Sequence, residues 1–381
     1  MLHTPRLRTA LTLCIASVCG CTARLSGGTG DLAESDYGYP DGGGWVDDRG
    51  ILRDGPSPYD LRPPTRDSRP PTTDQAAPPP TGYFPIQSIW YQDISKAPLD
   101  SQSGSIISSV QNNGGWAYGS FTIDFLLHVL YVDDSTSSRH FIATEDFYNP
   151  DCDKVAVPVP SVGSIEGESG FECTNLNRDC HLIVVHKTRK KLYEMWRANL
   201  VDGEFYGGCL AVWDLTRVYG PSGRGEQCTS ADAAGFPIAP LTFTADEVKA
   251  GAINHALRFV LPNDRIRNGV YLHPATHSTP STSGGSDAAP YGVRFRLKAS
   301  FAMDRLPNAG ARVVARALQK YGMFLSDGGG TTLTAQHDRY TTAKWKGLLA
   351  YNDLSALKVS DFEVVDGGQR IPYTARCVRN P

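Results

Sequence analysis

The segment Cys228-Thr-Ser-Ala-Asp-Ala-Ala-Gly-Phe-Pro237 sets one carboxylate, Asp232, among small residues, with two hydroxyls, Thr229 and Ser230, beside it. No run of large apolar groups accounts for it as core, so it reads as a surface shaped for a second molecule. Segments carrying lone polar groups flank it: Tyr193 with Glu194 and Trp213 with Asp214 before it, His255 and His277 after it. If 191–196 is a strand, Glu194 falls between Leu192 and Trp196 on an apolar face. Asp214 likewise shares a face with Leu210 and Val212, and His255 with Ile253, Leu257 and Phe259. A polar group so placed must be hydrogen-bonded or line a cavity, because burying it unpaired costs on the order of 2–7 kcal/mol. Each alone is accounted for by a satisfied structural role; together with Asp232 they point to a site.

Two chemistries fit these residue types. A glycosidase needs one protonated and one ionised carboxylate. Glu194 is the acid candidate, its apolar face raising its pKa, and Asp232 or Asp214 the second group. A polysaccharide lyase needs a base, for which His181, His255 and Tyr193 are candidates, and a cation to neutralise a uronate. Arg294, Arg296 and Lys298 alternate with Val293, Phe295 and Leu297. They form either a solvated outer face or a groove in which an Arg fork meets a carboxylate. Tyr193, Thr229, Ser230, His277, Arg294, Arg296 and Trp213 are the candidate substrate contacts. The reading from another class is a non-catalytic glycan- or partner-binding module, with Trp90, Trp116, Trp196 and Trp213 stacking on sugar rings. A peptidase is the weakest reading: Ser230 lacks the G-x-S-x-G setting, although His255 or His277 could serve it.

No metal and no cofactor is expected. His273 and His277 have the spacing of helical zinc ligands, but Pro274 keeps them extended and roughly 13 Å apart. Asp327 before three glycines is a turn signal, since no Lys-Ser/Thr pair follows to make a phosphate loop.

The elements that must hold these groups are mostly strands. Residues 121–131 alternate with period two, and 181–187, 191–200, 209–215, 253–261, 269–274 and 293–300 follow as further strands. Helices are predicted over 101–111, over 244–251 from the capping box Thr244-Ala-Asp-Glu247, and over 311–320. The expected class is mainly β, a β-sandwich or jelly-roll-like domain with a few short capping helices.

The organisation of the 381 residues points outward from the cell. Arg6 and Arg8 precede an apolar run, 9–18, too short to span a bilayer. Residues 1–20 are therefore expected to be a signal peptide and 21–82, rich in Gly, Pro, Ser and Asp, a disordered tether. Residues 83–381 are expected to form a single β-rich domain. The net charge of −3 implies no attraction to nucleic acid. Beyond Cys14, Cys19 and Cys21 there remain Cys152, Cys173, Cys180, Cys209, Cys228 and Cys377, an even set that an oxidising compartment would join in up to three disulfides. A bridge at Cys228 would fix the loop beside it.

Two resemblances add to this reading. Val18-Cys-Gly-Cys21 resembles a bacterial lipobox, which implies lipidation of Cys21, and Thr22 after it implies the outer membrane or cell surface. The T-S-A-D-A-A-G, P-A-T-H (274–277) and R-L-K-A (296–299) segments resemble a family of secreted bacterial proteins of unassigned function, over roughly residues 85–365. It implies one catalytic-type domain and names no reaction. The combined expectation is a surface-anchored lipoprotein that cleaves an extracellular polysaccharide, attached to the membrane through its lipid only.

Overall fold

The computed structural model describes residues 82–175 and 177–380, together with two short strands, Gly44–Val46 and Leu52–Asp54. The chain divides into two units, Met1–Arg66 and Asp67–Pro381. In the first, the two short strands pair antiparallel, within the stretch expected to be a tether. Cys21 and the expected signal peptide lie outside the described residues.

The second unit is mainly β and sandwich-like, with three α-helices among the described residues. A six-stranded sheet runs in the order Phe362–Val365, Arg294–Leu297, Met323–Gly328, Leu257–Leu261, Leu333–Gln336, Ile123–Leu127. A four-stranded sheet runs Cys209–Asp214, Lys191–Trp196, Leu182–His186, Val129–Val132. Both sheets are mixed. The 257 strand pairs parallel with 323, the 333 strand with 123, and the 129 strand with 182.

Alternation explains the burial. Ile183, Val185, Leu192, Ala211 and Trp213 of the smaller sheet join Phe259, Leu261, Phe295 and Phe324 of the larger one in the main core. Leu182, Val184, Met195 and Leu210 point the other way into a second apolar cluster.

The predicted strand over 121–131 is two strands in two sheets, Ile123–Leu127 and Val129–Val132, parted at His128. The alternation there is continuous, so period alone does not show the crossing. What marks it is the buried His128 ring, stacked on His337 with centroids 4.2 Å apart.

Helix α1 is Ser103–Asn112, α2 Ala245–Ala250 and α3 Ala309–Lys320. In α2 both halves of the Thr244/Glu247 capping box form, and Gly251 takes the left-handed C-cap with φ 88°. Helix α3 is capped by Asn308 and buries Val313, Val314, Ala317 and Leu318.

All six described cysteines pair, as Cys152–Cys209, Cys173–Cys180 and Cys228–Cys377. The last ties the C-terminal segment to the start of the T-S-A-D-A-A-G loop. These bridges are compatible with an extracellular protein. Among the described residues no helix is long and apolar enough to cross a membrane.

Candidate functional site

The loop keeps its shape through its own hydroxyls. Ser230 Oγ donates to Phe236 O at 2.6 Å and accepts from Asp232 N at 3.0 Å. Thr229 Oγ1 lies 3.3 Å from Asp232 O. Gly235, at φ 83°, is required: a Cβ there would stand 2.2 Å from Thr276 Oγ1 and 2.8 Å from Cys228 O. Thr276 in turn donates to Cys228 O at 2.7 Å, which places the 274–277 segment against the loop. Thr229 and Ser230 are buried and serve as internal struts.

So held, the loop turns carbonyls 231 and 233 toward two imidazoles and Asp232 toward an arginine. His181 Nε2 is 2.9 Å from Ala231 O and its Nδ1 is 2.6 Å from Glu166 Oε2. Both partners are acceptors, so the ring donates from both nitrogens and is an imidazolium. Burial alone would lower its pKa, but the Glu166 charge and hydrogen bond raise it to about 10. His277 is in the opposite state. Its Nδ1 lies 2.7 Å from Ala233 O and its Nε2 2.8 Å from the Tyr373 hydroxyl. Burial lowers its pKa, leaving a neutral ring that donates to Ala233 O and accepts from Tyr373.

Asp232 itself is fully enclosed, with Oδ1 2.7 Å from Arg258 Nη2. The same nitrogen is 3.6 Å from Asp327 Oδ2, and Arg258 Nη1 donates to Thr334 Oγ1 at 3.0 Å. Thr334 is the register partner of Asp124, so Asp327, Arg258, Thr334 and Asp124 run across neighbouring strands of the large sheet. Burial and the Glu166 charge raise Asp124 to about 7; burial and the Asp232 charge raise Asp327 to about 7. Burial also raises Asp232, against the pull of Arg258. Because Arg258 stands closer to Asp232 than to Asp327, Asp232 is the better supported anion and Asp327 the better holder of a proton. Asp124, Glu166 and Asp327 reach solvent, the Asp327 side chain being 28 % exposed.

Asp179, exposed at the edge of this group, acts electrostatically on both Asp327 and His181. Its Oδ1 accepts from Trp196 Nε1 at 2.6 Å. Trp196 meets Tyr148 with ring centroids 6.0 Å apart, and Tyr148 is 37 % exposed and also touches His277 edge-on. An aromatic rim therefore adjoins the charged cluster.

The other residues picked from sequence lie apart from this cluster or are enclosed. Glu194 is wholly buried; its Oε1 accepts from Ile238 N and Ala239 N, both at 2.8 Å, and its Oε2 from Trp213 Nε1 at 3.0 Å. Burial raises it to about 7, as sequence reasoning anticipated, but its oxygens hold the 238–239 backbone and face no opening. Trp213 is 1 % exposed, in the main core. Tyr193 is half-buried against the second apolar cluster. Asp214 sits at a surface strand end, where Lys191 at 2.7 Å and Thr216 bring it down to about 2. His255 bonds Ala256 O at 2.8 Å and Glu247 at 3.1 Å, so both its nitrogens are engaged at helix α2.

The 294–298 face is not an open groove. Arg294 donates to Tyr321 O and Gln92 O, and Arg296 to Glu363, Ile94 O and Ala97 O, both arginines being buried under the 92–97 segment. Lys298 donates to Ser360 O. His273 pairs with Glu226 at 2.9 Å, while His277 belongs to the loop, so the two histidines serve different sites.

Asp124, Glu166, Asp179, Arg258 and Asp327 were not selected from sequence as site residues. Arg258 carried the clearest signal, a cation inside the apolar strand Leu-Arg-Phe-Val-Leu261. A cavity of about 480 Å³ lies elsewhere, lined by neutral groups such as Ile86, Gln87, Tyr219 and Pro274. No protein-family model, no curated protein and no solved structure matches the chain.

Proposed function

We propose that this chain is an exported, lipid-anchored enzyme that hydrolyses a glycosidic bond in an extracellular polysaccharide, with Asp327 and Asp124 as the reacting carboxyls. The observation that carries the reading is that these two partly exposed carboxyls flank one arginine, Arg258, each with its pKa raised to about 7. Asp327 is the proton donor to the leaving oxygen, because the Asp232 charge beside it favours its protonated form. Asp124 is the base: its Oδ1 accepts from Leu126 N at 2.9 Å and Arg258 supports its charge. Three inter-strand steps separate their strands, roughly 14 Å between backbones. Asp232 and His181 are positioning residues, acting through Arg258 and through the 231 carbonyl.

Hydrolysis fits better than lyase chemistry, since Arg294 and Arg296 are committed to backbone carbonyls and a carboxylate, and a uronate would meet mainly carboxylates at Asp124 and Asp327. A binding-only role is favoured by one feature, the exposed Tyr148 against Trp196. The test is release of reducing ends from a panel of polysaccharides by the full chain, by Asp327→Asn and by Asp124→Asn. Loss of release in both variants, with melting temperatures within a few degrees of the parent, supports hydrolysis. Binding without release by the parent supports the module.

A further inference from the structure

A cleft of about 480 Å³, within the size range of small-ligand sites, is walled by segments 86–92 and 218–221 together with Pro274. It shares no lining residue with the Arg258 cluster. Two of its apolar side chains remain exposed, Ile86 at 70 % and Val218 at 47 %. Beside them Gln87 and Gln92 are exposed residues that bring side-chain amides to the wall. Ser88 lines the same cleft at 4 % exposure, and its Oγ has no hydrogen-bond partner among the described residues, so one polar group of the wall is left unsatisfied. The Tyr219 hydroxyl accepts from Asp214 N at 2.8 Å and keeps its own proton to donate. Its ring is fixed: Trp213 and Phe84 pack edge-on, with centroids 5.0 and 5.8 Å away, and Arg217 lies over it at 5.2 Å.

These groups select a ligand that is uncharged yet half polar. No Asp, Glu, Lys, Arg or His lines the cleft, so a charged group entering it would lose water with no counter-charge in the wall. A wholly apolar ligand would instead strand Ser88 and the two amides. None of the lining residues belongs to a strand, so an extended peptide finds no edge to pair with. Tyr219 is the one aromatic side chain in the lining, too few for the aromatic groove that takes a polyproline helix. With one face of that ring under Arg217, a plain hexose has little flat surface on which to stack. An acetamido group suits both halves of the wall, its methyl the aliphatic side chains and its N–H and C=O the amides and hydroxyl. We propose that the cleft binds an N-acetylated aminosugar residue of a glycan, its methyl against Ile86 and Val218 and its polar groups bonded to Gln87, Gln92 and Ser88. The choice of a glycan rests on the polysaccharide reading above, but not on which residues cleave it.

The experiment is calorimetric binding of the full chain to oligomers of equal length of N-acetylglucosamine, glucose, glucosamine and a uronate, and to a blocked, neutral proline-rich peptide. The acetylated oligomer should bind at least about ten times more tightly than the glucose oligomer, the scale of one buried methyl and one added hydrogen bond. Raising the salt from about 0.1 M to about 1 M, which shortens the screening length from about 10 Å to about 3 Å, should leave its affinity within about twofold. The double variant Gln87→Ala/Gln92→Ala, changed at exposed positions, should lose at least about fivefold while melting within a few degrees of the parent. Val218→Ser, which trims the exposed rim, should lose about threefold and serves if the double variant unfolds. Equal or tighter binding of the glucose oligomer, of either charged oligomer or of the peptide overturns the inference. So does parental affinity in the folded variants. No binding of the acetylated oligomer, with reducing ends still released from some polysaccharide, removes the cleft site alone. Binding at the cleft with no polysaccharide cleaved leaves this site standing and removes the hydrolase reading.

Discussion

Arg258 Nη2 lies 2.7 Å from Asp232 Oδ1 and 3.6 Å from Asp327 Oδ2, so one buried guanidinium serves one enclosed carboxylate and one that reaches solvent. This ties the T-S-A-D-A-A-G loop to the large sheet. Ala234 N also bonds Ser326 O at 2.8 Å, which fixes the loop against the strand that carries Asp327. The loop is thus a support for the charged cluster: its carbonyls orient His181 and His277, and its one acid anchors Arg258.

Removing one member of the enclosed pair should be costly. Arg258→Met leaves Asp232 buried and uncompensated, and should destabilise by about 3–5 kcal/mol. Adding Asp232→Asn to it should recover a substantial part of that loss, as measured by urea unfolding of the single and double variants.

Asp327→Asn should show an inverted pH effect. A carboxyl raised to about 7 when folded, from 3.8 when unfolded, contributes stability that is full below about 3.8 and is lost as pH rises through about 7. The asparagine variant lacks that loss. It should melt higher than the parent at mildly alkaline pH, and the difference should disappear toward acid pH.

Glu194 should prove structural. Glu194→Ala strands the 238 and 239 N–H groups and the Trp213 indole N–H, and should cost at least about 3 kcal/mol. Glu194→Gln keeps an oxygen for the two backbone donors and should cost less. Chemical denaturation of both variants checks the order.

The His255–Glu247 pair should couple most strongly in a bounded pH window. Burial lowers His255, but the Glu247 charge overrides it, so the net shift is upward; burial raises Glu247, but His255 and Thr244 bring it below its usual value. The Glu247 contribution is present above its unfolded value of 4.5 and is lost as pH falls through its folded value. The His255 contribution is full below its unfolded value of 6.5 and is lost as pH rises through its folded value. A double-mutant cycle with His255→Ala and Glu247→Ala should therefore give its largest coupling between 4.5 and 6.5.

Much of the fold could be read from the residues, and less of the site. The strands at 182–186 and 191–196, the capping box at Thr244 and the stop at Gly251 follow local rules, and local rules survive folding. The split at His128 is not local: the same alternation continues while the chain changes sheets. The importance of Asp232 was legible because small residues surround it. Its partners were not, since Arg258 and Asp327 come from strands 26 and 95 positions downstream, joined by parallel pairing that periodicity does not reveal. Glu194 illustrates the reverse difficulty. Sequence placed it on an apolar face, and only coordinates show that two backbone N–H groups and an indole satisfy it there.

The central claim, that Asp124 and Asp327 about Arg258 do chemistry on a glycan, is tested most directly by reducing-end release from aminosugar and neutral polysaccharides. The parent chain should be compared with Asp327→Asn and Asp124→Asn at neutral pH. The account predicts release by the parent and a fall of at least about a hundredfold in each variant, the scale of a lost general acid or base, with folding intact. Release at parental rates by both folded variants would contradict it.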